Sequence, residues 1–208
     1  MIDWTVFPLF LAGALALAVT PGPDMAFVLA TSASKGGRAG LVAASGVAAG
    51  SLFWILASTA GLTALLAASE HALLVVRWVG GAYLIYLAIQ AMRHLGDAPK
   101  GRPAGTLSAA FRRGLMTNLL NPKVGLFFIA FLPQFTNPDI GPAWLQIITL
   151  GVLFSAMGTS VLIVVAFSAG AVRERLLTSL TWRRVLNGIA ATAFGALGLR
   201  LIWSRDAV

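Results

Sequence analysis

The sequence is dominated by long apolar runs that contain no charged residue. Residues 4–23, 39–69 and 140–172 include no Asp, Glu, Lys or Arg. A helix needs about 20 such residues to cross the hydrocarbon core of a bilayer, which is about 30 Å thick. Each of the three runs is therefore long enough for a transmembrane helix, and the chain is expected to be an integral membrane protein.

The composition supports this class. Apolar residues make up 58% of the 208 residues and charged residues 11%, against about 25% charged in a soluble domain. The mean hydropathy is +0.86, and a soluble domain of this size has too little polar surface to cover so much apolar material. Intrinsic disorder is excluded because the chain has ample apolar material to pack. The absence of cysteine excludes disulfides, thiolate metal sites and cysteine nucleophiles.

Three further apolar runs are shorter between their flanking charges, at residues 78–92, 124–138 and 185–199. Long basic side chains at the ends of a span can extend to the membrane surface, and apolar residues continue beyond the charges. The sequence therefore predicts an all-α membrane protein with six transmembrane helices, with the first and fourth broken. Their expected bounds are 6–33, 41–66, 72–92, 114–135, 143–170 and 185–203.

The distribution of basic residues predicts the orientation. Eleven of the 15 lysines and arginines lie in the gaps after the first, third and fifth helices, and short basic gaps face the cytoplasm. Both termini are then non-cytoplasmic. This bias also accounts for the net charge of +8 without a nucleic-acid partner. The eleven are Lys35, Arg38, Arg93, Lys100, Arg102, Arg112, Arg113, Arg173, Arg175, Arg183 and Arg184, and Arg77, Arg200 and Arg205 lie on the other side.

Weak internal similarity predicts that the chain is a duplicated unit. Thr20-Pro21 resembles Asn121-Pro122, and Gly46-Val47 resembles Gly151-Val152. Because each unit has three spans, an odd number, the two would lie in inverted orientations, which is common in transporters. We therefore expect one integral membrane domain over residues 1–208. It would consist of a first repeat (1–93), a cytoplasmic linker (94–112) and a second repeat (113–208).

Two interruptions of the apolar runs are the candidate functional sites. They are Thr20-Pro21-Gly22-Pro23-Asp24 in the first span and Asn121-Pro122-Lys123 in the fourth. Proline removes a backbone donor and clashes with the preceding helical turn, and lipid offers no partner for the freed carbonyl groups. Paired breaks in corresponding spans therefore indicate a transport site.

Each break also carries a charge, Asp24 in one and Lys123 in the other. A charge at the centre of the bilayer costs about 2.5–3.5 kcal/mol on the insertion scale, so such residues are usually functional. An amino acid has an ammonium group that Asp24 can bind and a carboxylate that Lys123 and a helix N-terminus can bind. Asn121 can bridge polar groups. Asp24 is also the candidate proton carrier, because a carboxyl group removed from water can alternate between its charged and neutral forms.

Three structural interpretations stand beside the functional one. Asp24 and Lys123 can neutralise each other as a buried pair. Asp24 can cap a half-helix that begins at Met25. Lys123 can extend towards the cytoplasmic surface near Arg113.

Several motifs resemble those of the LysE/RhtB family of amino-acid exporters. They are Pro21-Gly22-Pro23-Asp24, Lys35-Gly36-Gly37-Arg38, the stretch Gly46–Gly50, Asn121-Pro122-Lys123 and the run Leu126–Phe135. The run Phe131-Leu132-Pro133-Gln134-Phe135 is more similar to the homoserine/threonine branch. The resemblance covers nearly the whole chain. It implies six helices, an inner-membrane location, export of amino acids or their derivatives, coupling to the proton gradient and a homodimer. Family members often carry Asn at the position of Asp24.

The predicted function is a secondary transporter, an antiporter that exports small neutral amino acids or derivatives from the cytoplasm. The expected substrate site comprises Thr20, Pro21, Gly22, Pro23, Asp24, Asn121, Pro122 and Lys123. A channel, or export of another small cation or metabolite, is the alternative. Enzyme activity is not expected, because seven acids and two outlying histidines give no nucleophile–base set. Neither a cofactor nor a metal is expected, and no ATP-binding motif occurs.

Overall fold

A computed structural model describes residues 2–68, 72–97, 102–168 and 179–203. Within these ranges the chain is all-helical, as predicted, with eight α-helices. The first four are α1 (Phe7–Val19), α2 (Pro23–Lys35), α3 (Gly37–Ala68) and α4 (Ala72–Arg93). The next four are α5 (Leu107–Leu119), α6 (Pro122–Leu126), α7 (Ala143–Phe167) and α8 (Leu180–Trp203), and α6 continues through a π-helical turn (Phe127–Phe131) into a 3₁₀ turn (Leu132–Phe135).

Two bends lie at the predicted breaks. The axes of α1 and α2 differ by 46°, and α5 differs by 50° from the segment Pro122–Phe135. In the described ranges, α3 over Gly37–Gly61 and α7 are each apolar and long enough to cross a membrane, and each bent pair adds one further candidate. The chain thus runs twice through the order of a bent pair followed by two long helices.

The basic gaps begin and end somewhat differently from the prediction. The α5 helix starts at Leu107 rather than 114, because Thr106 caps it, its Oγ1 accepting a hydrogen bond from the backbone N–H of Ala109 at 3.2 Å. The turn between α2 and α3 contains Gly36 at φ +83°, a conformation that favours glycine. The basic residues Lys100, Arg173, Arg175 and Arg205 lie outside the described residues, as does the predicted end of the fifth span at 170.

Aromatic side chains form the largest part of the core. Phe127 stacks on Phe154 with ring centroids 4.2 Å apart, and this contact joins the π-helical turn to α7. Phe10 of α1 packs edge-on against Phe135, and Phe194 of α8 belongs to the same cluster. The second bent segment is thereby packed against helices from both halves of the chain, which fixes its position in the bundle.

Glycines allow two helix pairs to pack closely. A Cβ atom at Gly46 of α3 would lie 2.1 Å from the carbonyl oxygen of Phe111, and one at Gly114 of α5 would lie 2.3 Å from that of Ala43. The contact between α4 and α8 is similar, since a Cβ at Gly198 would lie 2.9 Å from the carbonyl oxygen of Gly81. Small residues allow such approach between membrane helices. Gly46 therefore packs within the bundle, and a dimer contact is not needed to explain it.

Candidate functional site

The two bends border one cavity of about 60 Å³. This is room for a few water molecules, since one water needs about 10–15 Å³ on this measure. Residues of α1, α2, α3, α5, α6 and α7 line it, so both halves of the chain contribute. The polar lining residues are Thr20, Asp24, Ser51, Asn118, Asn121, Lys123, Ser155 and Thr159.

The first bend follows from its Thr-Pro-Gly-Pro sequence. α1 ends at Val19, and Thr20 is extended with φ −66° and ψ 122°. Pro23 is the first residue of α2, a position where a missing N–H does no harm. Thr20 and Gly22 line the cavity, whereas Pro23 is exposed and Pro21 is not among the lining residues. The prolines thus shape the bend without lining the cavity.

Asp24 is the second residue of α2 and faces the cavity. Its Oδ2 atom accepts a hydrogen bond from the side-chain amide of Asn118 at 2.9 Å. Its Oδ1 atom is buried and has no hydrogen-bond partner in the protein. Because Gly22 is the N-cap of α2 and no side chain caps this end, the interpretation of Asp24 as a cap of a helix beginning at Met25 is wrong.

The second bend is built around Asn121, which is 5% exposed. Asn121 is the N-cap of α6, and its Oδ1 accepts a hydrogen bond from the backbone N–H of Lys123 at 3.1 Å. Pro122 is exposed and begins α6, and its carbonyl oxygen accepts a hydrogen bond from the Tyr83 hydroxyl at 3.1 Å. Tyr83 therefore links α4 to this bend.

Lys123 joins the two bends directly. Its Nζ donates a hydrogen bond to the carbonyl oxygen of Thr20 at 3.1 Å. This carbonyl is one of the backbone groups that the first bend frees, and the ammonium supplies the partner that lipid does not. Lys123 therefore points into the bundle, and the interpretation that it extends towards the surface near Arg113 is wrong. In the part of the chain that the structure describes, Lys123 and Asp24 contact different groups and form no ion pair.

The structure thus brings together Thr20, Gly22, Asp24, Asn121 and Lys123 of the predicted site. Sequence reasoning missed several other lining residues. Asn118 is 1% exposed and lies one helical turn before Asn121. A polar residue at this spacing in a segment of membrane length could have predicted that it faces the same cavity. Ser51, Ser155, Thr159 and Phe154 gave no such signal, because small hydroxyls and aromatics are common on membrane helices.

A polytopic bundle with two broken helices whose charged side chains share a cavity is the architecture of a membrane transporter. The comparisons agree. The sequence profile of the LysE type translocator family matches residues 15–205. The chain belongs to this family, and it is a multi-pass membrane protein.

Several relatives are similar over most of their length. A leucine efflux protein of Enterobacter sp. (strain 638) is 30% identical over 207 residues, covering 95% of this chain and 93% of the relative. An uncharacterized membrane protein of Pseudomonas aeruginosa is 33% identical, covering 93% of this chain and 91% of its own. The membrane protein YahN of Escherichia coli (strain K12) is 32% identical, covering 88% and 82%. No solved structure matches the chain.

Proposed function

We propose that this protein exports small neutral amino acids or their derivatives from the cytoplasm. The observation that carries the proposal is the convergence of one carboxylate, Asp24, and one ammonium, Lys123, on a cavity between two helix bends. An amino acid carries the two complementary groups, an ammonium and a carboxylate. Membership of a translocator family and a relative named leucine efflux protein support export of amino acids.

In this proposal the substrate binds two charged side chains that keep free hydrogen-bonding capacity in the protein. Its ammonium binds the Asp24 carboxylate, whose Oδ1 has no partner in the protein. Its carboxylate binds Lys123, whose ammonium has three N–H donors and can bond the carboxylate as well as the Thr20 carbonyl. The unpaired N–H groups in the first turn of α2 add to the attraction for the carboxylate, because the N-terminus of a helix carries partial positive charge.

The remaining cavity lining supports a neutral substrate side chain. Leu17, Met25, Phe154 and Leu162 offer apolar contact, and Asp24 is the one acid among the lining residues of the described chain. A basic substrate side chain would need a second acid there. The hydroxyls of Ser51, Ser155 and Thr159 favour homoserine- or threonine-like molecules within the neutral class, and the apolar residues favour leucine.

We propose that transport proceeds by alternating access in a six-span protein. Residues 1–93 and 113–208 would form two inverted repeats joined by a cytoplasmic linker, 94–112. The repeated element order and the lengths of α4 and α8, 22 and 24 residues, support this arrangement. The chain would lie in the inner membrane with both termini outside, work as a proton-coupled antiporter with Asp24 as the proton carrier, and form a homodimer.

Counterflow in proteoliposomes tests the proposal. Purified protein is reconstituted with a high internal concentration of one amino acid, and uptake of a labelled neutral amino acid is followed with and without an imposed pH gradient. Saturable counterflow that responds to the gradient is the expected result. A flux that never saturates would indicate a channel, and counterflow with inorganic cations alone would indicate a cation exporter.

A further inference from the structure

The side chain of Asn118 belongs to the polar lining of the cavity. It is 1% exposed, and its Nδ2 donates to Asp24 Oδ2 at 2.9 Å. This bond settles the orientation of the amide, because only the nitrogen can donate to a carboxylate. The amide oxygen of Asn118 is therefore not the atom that bonds Asp24.

That oxygen has no partner. Among the described residues, three buried side-chain atoms lack a hydrogen bond in the protein: Asp24 Oδ1, Asn118 Oδ1 and Thr31 Oγ1. Thr31 does not line the cavity, whereas Asp24 and Asn118 both do. A buried acceptor without a hydrogen bond destabilises the protein. Asp24 and Asn118 are hydrogen-bonded to each other, and each has one free acceptor in the same cavity. This pair indicates a hydrogen-bond donor that arrives with the ligand.

The helix α3 leaves room for this arrangement at Gly50. A Cβ atom there would lie 2.6 Å from Asn118 Oδ1 and 2.8 Å from Asn118 Cβ. Any other residue at position 50 would displace the amide, and with it the group that holds Asp24. Trp54, one turn further along α3, donates from its Nε1 to the backbone carbonyl of Asn118 at 3.4 Å. α3 thus fixes the backbone of Asn118 and leaves its side chain free of steric pressure.

We propose that Asn118 is a substrate-binding residue, which accepts a hydrogen bond from the ammonium group of the substrate beside Asp24. Gly50 is a positioning residue that acts through Asn118. An ammonium has three N–H donors, enough for one oxygen of each residue. The inference rests on the proposed amino-acid export and adds to it the second group that recognises the ammonium.

The test compares ligands that carry only one of the two charged groups. L-Leucine, 3-methylbutylamine and 4-methylpentanoate share one side chain and differ in whether they carry the amine, the carboxylate or both. Each is titrated as a competitor of labelled L-leucine counterflow with wild-type protein, Asn118→Leu and Gly50→Ala. Asn118→Leu keeps the branching and the number of heavy atoms of the side chain and removes its polar atoms.

The expected result is selective. Asn118→Leu weakens binding of L-leucine and of the amine by about tenfold or more, as expected for losing a hydrogen bond to a charged group, and leaves the acid unchanged. Gly50→Ala produces the same pattern with a smaller loss. Gly61→Ala is the matched control on α3, because a Cβ there meets nothing within 4 Å.

Other outcomes overturn the inference. An equal loss for all three ligands would indicate that Asn118 is merely structural, and so would wild-type affinity for the amine in Asn118→Leu. If Asn118→Leu does not fold, as judged by gel filtration, Gly50→Ala alone decides between these results. Competition by sodium that exceeds competition by the amine would assign the oxygens to an inorganic cation. If wild-type protein binds neither leucine nor any other amino acid, the proposed function fails as well, whereas normal transport by both variants refutes the inference alone.

Discussion

The ammonium of Lys123 donates a hydrogen bond to the carbonyl oxygen of Thr20 at 3.1 Å, across 103 positions of the sequence. One helix bend therefore supplies the partner for a backbone group that the other bend leaves free. In the proposed function the substrate carboxylate binds the same ammonium, whose three N–H donors can serve the carbonyl and the carboxylate together. Binding of substrate is thus expected to involve the contact between the two bends.

Replacing Lys123 by methionine tests this contact. Lys123→Met keeps most of the side-chain length and removes the charge, so the substrate carboxylate and the Thr20 carbonyl both lose a donor. We expect binding of L-leucine and of 4-methylpentanoate to weaken by about tenfold or more, while binding of 3-methylbutylamine is retained. The measurement is competition against labelled L-leucine.

Lys35→Met is the control for this substitution, because Lys35 is exposed and does not line the cavity. Its Nζ donates a hydrogen bond to the carbonyl oxygen of Gly105, which does not line the cavity either. We expect its transport to match that of wild-type protein. Unchanged binding of the acid by Lys123→Met would contradict the assignment of Lys123 to the carboxylate.

Replacing Asp24 by asparagine removes a charge with little change in shape. Asp24→Asn lacks the negative charge that attracts an ammonium and cannot take up and release a proton, so we expect gradient-dependent export to be lost while the protein still reaches the membrane. Export is measured in proteoliposomes with an imposed pH gradient, and membrane content by immunoblot. Asp139→Asn makes the same chemical change at an exposed position and is expected to leave export intact. Full export by Asp24→Asn would refute its role.

The close approach of α3 and α5 predicts a stability difference between two glycines. Gly46→Ala introduces a Cβ only 2.1 Å from the carbonyl oxygen of Phe111, so the helices must separate. Overpacking of this kind costs about 1–3 kcal/mol. Gly188→Ala is the comparison, because a Cβ there meets nothing within 4 Å, and alanine is the better helix former. We expect the midpoint temperature of thermal unfolding, measured in detergent, to fall for Gly46→Ala only.

The stability of the protein at acidic pH is expected to depend on Asp3, which precedes the first predicted span. A hydrogen bond from the Asn137 side chain at 2.9 Å, with others from Thr5, lowers the pKa of Asp3 below its ordinary value of 3.8. A carboxyl whose folded-state pKa is lowered contributes stability above the unfolded value, and that contribution is lost as the pH falls through the folded value. Asp3→Asn should therefore remove part of the loss of thermal stability measured below pH 3.8. An unchanged pH profile would indicate that the contact between Asp3 and Asn137 contributes nothing.

The sequence alone was sufficient for the class of the protein, its helical structure and the position of both breaks. Charge-free runs longer than about 20 residues favour helices in lipid, because a helix of that length crosses the bilayer and satisfies its own backbone hydrogen bonds. Proline at 21, 23 and 122 interrupts a helix whatever surrounds it, since the missing N–H and the steric clash are local. The bends of 46° and 50° therefore lie where the prolines indicated.

Only the tertiary structure decided which groups meet at the breaks. The bond from Lys123 to the Thr20 carbonyl and that from Asn118 to Asp24 join residues about a hundred positions apart. Their partners depend on how α1, α5 and α3 pack, and this packing is set by glycines such as Gly50 whose neighbours belong to other helices. A local pattern fixes where a helix breaks, because the cause lies within one turn. Which side chain fills the break depends on long-range packing, and no local pattern contains it.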